Sequence, residues 1–334
     1  MRSNVPAKSP SHWPHRPTTI AALALALGAA AAPTPAAHAQ TVGCGSVIGP
    51  NANVVLTADL ACTRLTGGIT VIGPATLDLG GHVITCAPET DRAIAVTLVG
   101  KRAQLKNGSI AGCKVGVELA GDGRHRVEQI AATLNVEAAF RMDSGANTLR
   151  GNTGAGTTSG IDFVVRGDRN LLDGNSTAVT GLQPAPIGFR VLGNANRLRG
   201  NTAASHVQQG FVVNFPFERN VLQGNTATGN GAAGIAVDTL RTAVTANSVF
   251  ANRREGIFLT ASSSRVTRND VHDNGTVGIR ILGGVGGNVV SRNTVLNNDR
   301  AGVGTFDMLD PTPGCGTNRW SANVFATAND PCIE

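Results

Sequence analysis

Every 21 to 25 residues the chain returns to one small residue followed by an apolar one. The openings fall at Gly68, Ala93, Gly116, Ala139, Gly160, Gly188, Gly210, Gly234, Gly256, Gly278 and Gly302, with one longer interval of 28 between Gly160 and Gly188. A fixed period of this size restricts the chain to a solenoid, in which each unit buries its apolar side only against its neighbours. Within each copy apolar residues alternate, as in half-buried strands. Ile235/Val237, Ile257/Leu259 and Ile279/Ile281 form one inward set. Leu149, Leu172, Leu198, Leu222, Val244, Val266 and Val290 form a second, and Ala227, Val249, Val271 and Val295 a third. Three short strands per copy follow, and no helical period occurs after residue 40.

Asparagine selects among solenoids. One column reads Asn152, Asn175, Asn201, Asn225, Asn247, Asn269 and Asn293. Five residues earlier a second reads Asn147, Asn170, Asn196, Asn220, Thr242, Ser264 and Asn288, and a third holds Asn230, Asn252, Asn274 and Asn298. Asparagine tolerates turn conformations, and its amide both donates and accepts. Stacked at about 4.8 Å, such amides bond along a column. The expectation is an all-β, parallel β-helix of about ten coils at that spacing.

Before the repeats, Arg2, Lys8 and Arg16 precede a small-residue apolar run, Ile20 to Ala32, and Ala37-His38-Ala39 has the form of a signal-peptidase site. Residues 1–39 are therefore expected to be a signal peptide, 40–66 an N-terminal cap, 67–302 the repeats and 303–334 a C-terminal cap. Of the chain's 28 basic residues, three precede residue 40, leaving 25 against 22 acidic ones. So small an excess argues against a nucleic-acid partner, and nothing after the leader is apolar for long enough to cross a bilayer. All six cysteines, Cys44, Cys62, Cys86, Cys113, Cys315 and Cys332, follow the leader. In an exported chain they favour disulfides. Pairing them in sequence order would staple the two ends and leave the middle free.

The strings "ATLDLGGHVI" (Ala75–Ile84) and "LKNGSI" (Leu105–Ile110), with the recurring Gly-Asn and Gly-Ile units, resemble the right-handed β-helix repeat proteins of the pectate-lyase-like superfamily. The resemblance runs from about Ile69 to Gly302 and implies a right-handed coil, as the crossover rule also does. Its members include pectate and chondroitin lyases, polygalacturonases, mannuronan epimerases, phage tailspikes and a periplasmic protein serving copper-site maturation, so fold alone does not name a reaction. The aspartate-rich strings of polygalacturonases and the "DPHE" of epimerases do not occur. No compact acidic cluster marks a calcium site, although calcium would be the ion of a lyase of this kind. A copper role would call for accessible His and Met. Of the seven His and three Met, only His82, His125, His206, His272, Met142 and Met308 follow the leader, and they are scattered. No cofactor and no metal site is evident.

His272, between two aspartates, reads as an outward histidine on an outer strand, and His206 as a substitute in the third asparagine column. Outward residues of the first strand carry the resemblance's cleft. Glu118, Arg141, Asp162 and Arg190 read as cross-strand charge pairs. Beyond them Asp238, Arg254 and Arg280 are the candidate catalytic residues, an arginine base with an aspartate as acid or orienter. Asn214, Phe217, Phe258, Asp299 and Arg300 are candidate binding residues, arginine for a carboxylate and phenylalanine for a sugar ring. With aromatics at 4% and no tyrosine, acidic glycans fit better than neutral ones. The insertion "TGLQPAP" (Thr180–Pro186) would overhang this groove. The expected function is that of a secreted or periplasmic protein binding, and cleaving in a lyase-like way, acidic polysaccharide. A non-catalytic cell-surface or structural module is the alternative.

Overall fold

The computed structural model describes residues 41–63, 65–86, 93–178 and 185–334. The expected leader lies outside the described residues, as does most of the Thr180–Pro186 insertion. Each coil contributes one strand to each of three parallel sheets. The first sheet stacks twelve strands from Val47–Ile48 to Met308–Leu309. The second and third share the strands Gln104–Ala111 and Arg126–Thr133, which run through both, and separate on either side of them. Residues 47–62 and 308–325 each supply one complete coil, so ten of the twelve lie between Ile69 and Ile281. The chain is a right-handed parallel β-helix, the expected fold.

Alternation in the sequence becomes alternation in space. In the strand Ile257–Leu259, Ile257 and Leu259 are buried while Phe258 faces outward. Phe140, Phe163, Phe189 and Phe211 occupy one inward column, ring centroids 4.6, 4.7 and 4.8 Å apart. That separation is the strand spacing itself, so parallel register converts a sequence period into an aromatic stack.

The asparagine columns close the corners. Asn247 shows the pattern: its backbone N and Nδ2 donate to Oδ1 of Asn269 (both 2.9 Å), and Nδ2 also donates to the Leu222 carbonyl (3.0 Å). Its own Oδ1 accepts from the backbone N (2.8 Å) and Nδ2 (2.9 Å) of Asn225. Buried backbone groups that a corner would orphan are thereby satisfied. The amide-to-amide bonds of the column all run from one coil to the next in the same sense, while the second Nδ2 hydrogen returns to a carbonyl of the preceding coil. At the C-terminal end the second column finishes with Asn318 Nδ2 donating to Asp310 Oδ2 (2.9 Å), the third with Asn298 Nδ2 donating to Asp307 Oδ1 (3.0 Å), and the first with Asn323 Nδ2 donating to the Glu334 carbonyl (2.8 Å). The residue before each ladder asparagine takes a left-handed turn, at φ 62° in Gly200 and 63° in Gly224.

Opposite the third column lies the column of small residues. A Cβ on Gly256 would come within 2.4 Å of Val271 Cγ1 and 2.7 Å of the Gly278 carbonyl, so no larger residue fits. Strand register corrects three expected openings. Ala95, Asp162 and Asp307 take the places assigned to Ala93, Gly160 and Gly302. Gly160-Ile161 imitates an opening because Ile161 is also apolar, but it packs outside the barrel against Ala138 and Val115. Asp162 is consequently fully buried, not an outward member of a charge ladder. Cys44–Cys62, Cys86–Cys113 and Cys315–Cys332 are the disulfides, paired in sequence order towards the two ends.

Candidate functional site

The outer face of the first sheet carries Glu118, Arg141, Val164, Arg190, Val212, Ala236, Phe258 and Arg280 in one register line. Its first part is internally neutralised. Arg141 pairs with Glu118 and Asp143, and Asp143 with Arg166 at 3.0 Å. Val164 stands where Asp162 was expected, so Arg190 has no acidic neighbour in the line and instead donates from Nε to Asn214 Oδ1 at 2.9 Å.

Beyond Arg190 the line sinks to Val212 and Ala236, then rises at Phe258 and Arg280. Arginines four rungs apart therefore stand at the ends of a trough of roughly 19 Å at the strand spacing. Exposed Phe215 and half-buried Phe217 follow the strand Phe211–Val213 at the trough's border. Arg280 is doubly anchored. Its guanidinium carbon lies 5.0 Å from the Phe258 ring centroid, within cation–π range. Its Nη1 donates to Glu255 Oε1 at 3.0 Å, while Arg254 Nε lies 3.8 Å from Oε2 of the same carboxylate. Glu255 is only 4% exposed and sits among Ala233 and Val277, so Arg280 is what makes its burial tolerable. Glu255 is not among the catalytic or binding candidates named from the sequence. The signal was its place one residue before an opening glycine, where the neighbouring coils carry Ala233 and Val277.

The other candidates disperse. Asp238 lies beyond the C-terminal end of its strand and accepts from Thr260 Oγ1 at 2.9 Å, whereas Arg280 turns towards the opposite end to meet Glu255. Asp299 accepts from the backbone N of Val303 and Gly304 and from Thr305 Oγ1, each at 3.0 Å. Desolvation pushes its pKa up, but these bonds outweigh it and hold the carboxyl below the usual range. Arg300 reaches Asp273 at 3.6 Å, beside a depression of about 550 Å³ that Arg253 also lines. Asp299 and Arg300 thus serve the turn after the third sheet. A larger depression, of about 770 Å³, lies between turns on the first half of the coil, lined by Asp122, Arg124, Asp143, Arg166 and Asp168.

The histidines are structural in geometry. His272 stacks on Phe250 (5.1 Å, interplanar 1°) with Nδ1 2.8 Å from Asp273 Oδ2. His206 stands in the third ladder, its backbone N donating to Asn230 Oδ1 (3.1 Å) and its Nε2 2.7 Å from Thr177 Oγ1. Its Nδ1 lies 4.0 Å from Asp162 Oδ2, and Thr157 donates to Asp162 Oδ1 at 2.6 Å. Burial pushes the Asp162 carboxyl up to about 6 and the His206 imidazole down to about 4. Met142 and Met308 are fully buried, and all six cysteines are in disulfides. Among the described residues the one grouping of three candidate metal-ligand atoms is Cys315, Asp330 and Cys332, whose two sulfurs are bonded to each other. A thiophilic ion finds no converging His, Met or thiolate set there.

The fold is similar to that of the mannuronan C-5 epimerase AlgE4 A-module of Azotobacter vinelandii: 13% identity, 86% of this chain and 89% of that one covered, TM-score 0.66. It is also similar to the periplasmic alginate epimerase AlgG, at 14% identity over 86% and 79% of the two chains with a TM-score of 0.55. A tailspike of E. coli bacteriophage HK620, solved with a hexasaccharide, matches at 12% identity over 76% and 55% with a TM-score of 0.52. No protein with a curated description matches. The asparagine-ladder coils from residue 144 to 326, more than half of the chain, match one family throughout. The chain belongs to the family described as periplasmic copper-binding protein (NosD).

Proposed function

We propose that this is an exported β-helix protein that binds an acidic polysaccharide along the trough on the outer face of the first sheet. The observation that carries this reading is the pair of anchored arginines, Arg190 on Asn214 and Arg280 on Phe258 and Glu255, on either side of a floor of Val212 and Ala236. Guanidinium groups held in place lose little entropy on meeting carboxylates. Phe215, Phe217 and Phe258 offer apolar surface to sugar rings. Three disulfides, and the absence among the described residues of any helix long and apolar enough to cross a membrane, fit an exported protein. The matched family's description and the periplasmic epimerase fold-neighbour support the periplasm as its compartment.

The reading is binding without cleavage. Asp238 and the Arg280 guanidinium turn to opposite ends of their strands, and Arg280 already engages a buried carboxylate, so the two do not form an acid–base pair. Copper enters only through the family's description. The described His, Met and Cys residues do not fit it.

Affinity measured by calorimetry across acidic and neutral polysaccharides tests the reading, together with reducing-end release with and without calcium. Arg280→Ala alone would strand Glu255 in its apolar column, so the informative variant is Arg280→Ala with Glu255→Ala, beside Arg190→Ala. Each is expected to weaken binding about tenfold, the loss of one charge-assisted contact, with little change in melting temperature. Failure to bind any polysaccharide, or unchanged affinity in both variants, would remove the trough. Release of reducing ends would replace binding with depolymerisation.

A further inference from the structure

On the second sheet, apart from the trough, the geometry points to a phosphate-binding site between the turns of the last coils. Arg265, Arg268 and Arg292 line a depression of about 390 Å³ together with Thr267, Ser291 and Ser321. Arg265 and Arg319 occupy the same outward column two rungs apart, Arg265 pairing in register with Val289 and Val289 with Arg319. Arg268 and Arg292 occupy successive turns, joined through the backbone by Arg268 N donating to the Ser291 carbonyl at 3.2 Å. The four guanidinium groups therefore lie within about two strand spacings along the axis.

Two features of this patch cost the fold something and give it nothing in return. Arg268 and Arg292 have φ 58° and 59°, at the turn position where earlier coils have Gly151, Gly174, Gly200 and Gly224. A left-handed residue is all the turn needs, and arginine is a poorer one than glycine. Stacking two cations on adjacent rungs is also unfavourable. None of Arg265, Arg268, Arg292 and Arg319 has an ion-pair partner among the described residues. Elsewhere on the coil Arg199 pairs with Asp173 (2.8 Å) and Arg241 with Glu218 (2.9 Å). Asp270, just round the corner on the third sheet, pairs with none of the four.

The donor set identifies the ligand's chemistry. Three arginines, two serines and a threonine line one depression that no carboxylate lines. A carboxylate has two oxygens to offer such a set, whereas a phosphate monoester brings three strong acceptors and a charge approaching two. Outward side chains of the second sheet in these coils are arginine, threonine, serine, valine and alanine, so no aromatic platform is present for a sugar ring. The shared chemistry is a phosphate group, free or borne by a larger molecule.

The test uses Arg268→Gly with Arg292→Gly, which restores the residue found at Gly200 and Gly224 and so retains the turn. Inorganic phosphate is titrated into wild type and variant by calorimetry. Vesicles of phosphatidylcholine with and without phosphatidic acid are sedimented with each. Wild type is expected to bind phosphate, and the variant to bind at least tenfold more weakly with an unchanged or higher melting temperature. Vesicle binding that needs phosphatidic acid and is lost in the variant would assign the phosphate to a lipid headgroup. Phosphate binding without vesicle binding would assign it to a soluble ligand. No phosphate binding by wild type, or equal binding by the variant, overturns the site whatever the vesicles do. Arg190→Ala should leave phosphate binding untouched, which separates this site from the trough.

Discussion

Alanine in place of Asn247 is expected to lower the melting temperature by roughly 10 °C, equivalent to about 3–5 kcal/mol in a chain of this size. Its carboxamide serves four partners at once. Without it the backbone N of Asn225 and the Leu222 carbonyl lose buried bonds, and Asn225 Nδ2 and Asn269 Oδ1 each lose one of theirs. Each stranded group costs about 1–3 kcal/mol, and no water reaches a site that is 1% exposed. In a solenoid the loss falls on the two coils that meet there. Hydrogen exchange should therefore quicken in coils on both sides of Asn247 before it does near the Phe140–Phe211 stack. Asn220→Thr is the matched control, because Thr242 and Ser264 already serve in that column and accept or donate there; it should cost about 1 kcal/mol. A melting temperature within a degree or two of wild type for Asn247→Ala would mean that the ladder follows the fold and does not stabilise it.

Acid titration should distinguish Asp162→Asn and His206→Asn sharply from the wild type. The Asp162 carboxyl is raised to about 6 by burial, so its neutral form is favoured in the folded state. The stability this confers is complete below the unfolded value, near 3.8, and is lost as pH rises through about 6. His206 is lowered to about 4, so its contribution is complete above the unfolded value of 6.5 and is lost as pH falls through about 4. The two slopes have opposite signs over nearly the same window. In the wild type they offset each other. Asp162→Asn keeps the acceptor for Thr157 and leaves the contribution of His206 unopposed, and stability relative to wild type should fall by about 3 kcal/mol between pH 7 and pH 4. His206→Asn installs the residue of the neighbouring rungs, and stability relative to wild type should rise by a similar amount over the same range. Other carboxylates titrate equally in all three proteins and drop out of the differences. Parallel profiles for all three would show that the cluster is wetter than its burial implies.

The coil, its ladders and most inward positions could be read from the sequence because each depends on a period that repeats many times. Single substitutions within a period were harder. Gly160-Ile161 has the local form of an opening, and only strand register shows that Asp162 holds that place, because a glycine column gives no hint that one coil carries a carboxylate. There the third ladder has the shorter Thr157, and the longer Asp162 fills the space left. The trough was legible in part. Phe258 and Arg280 share a line that alternation predicts, but their link to Glu255 depends on a side chain folding back 25 residues in sequence. Asp238, Asp299 and Arg300 are drawn together by adjacency on a flattened repeat, yet Asp238 is held by Thr260 of the next coil, Arg300 by Asp273 of the preceding one and Asp299 within its own turn.

The amide columns are one-way. In the first and third columns each carboxamide presents its oxygen to the preceding coil and one Nδ2 hydrogen to the following one, the other returning to a carbonyl of the preceding coil, so small dipoles add along the axis much as peptide dipoles add in a helix. The electropositive end is the C-terminal coil, and it meets Asp310 beneath the second column and Asp307 beneath the third. An ionised carboxylate accepts and never donates. A donating chain that arrives at such a group has nowhere further to go. The two aspartates therefore act as chemical full stops: they complement the accumulated dipole and leave no outgoing N–H in those columns for a second molecule to extend. A repeat that could in principle template its own continuation is brought to an end by two side chains and, in the first column, by the Glu334 carbonyl that accepts from Asn323 Nδ2.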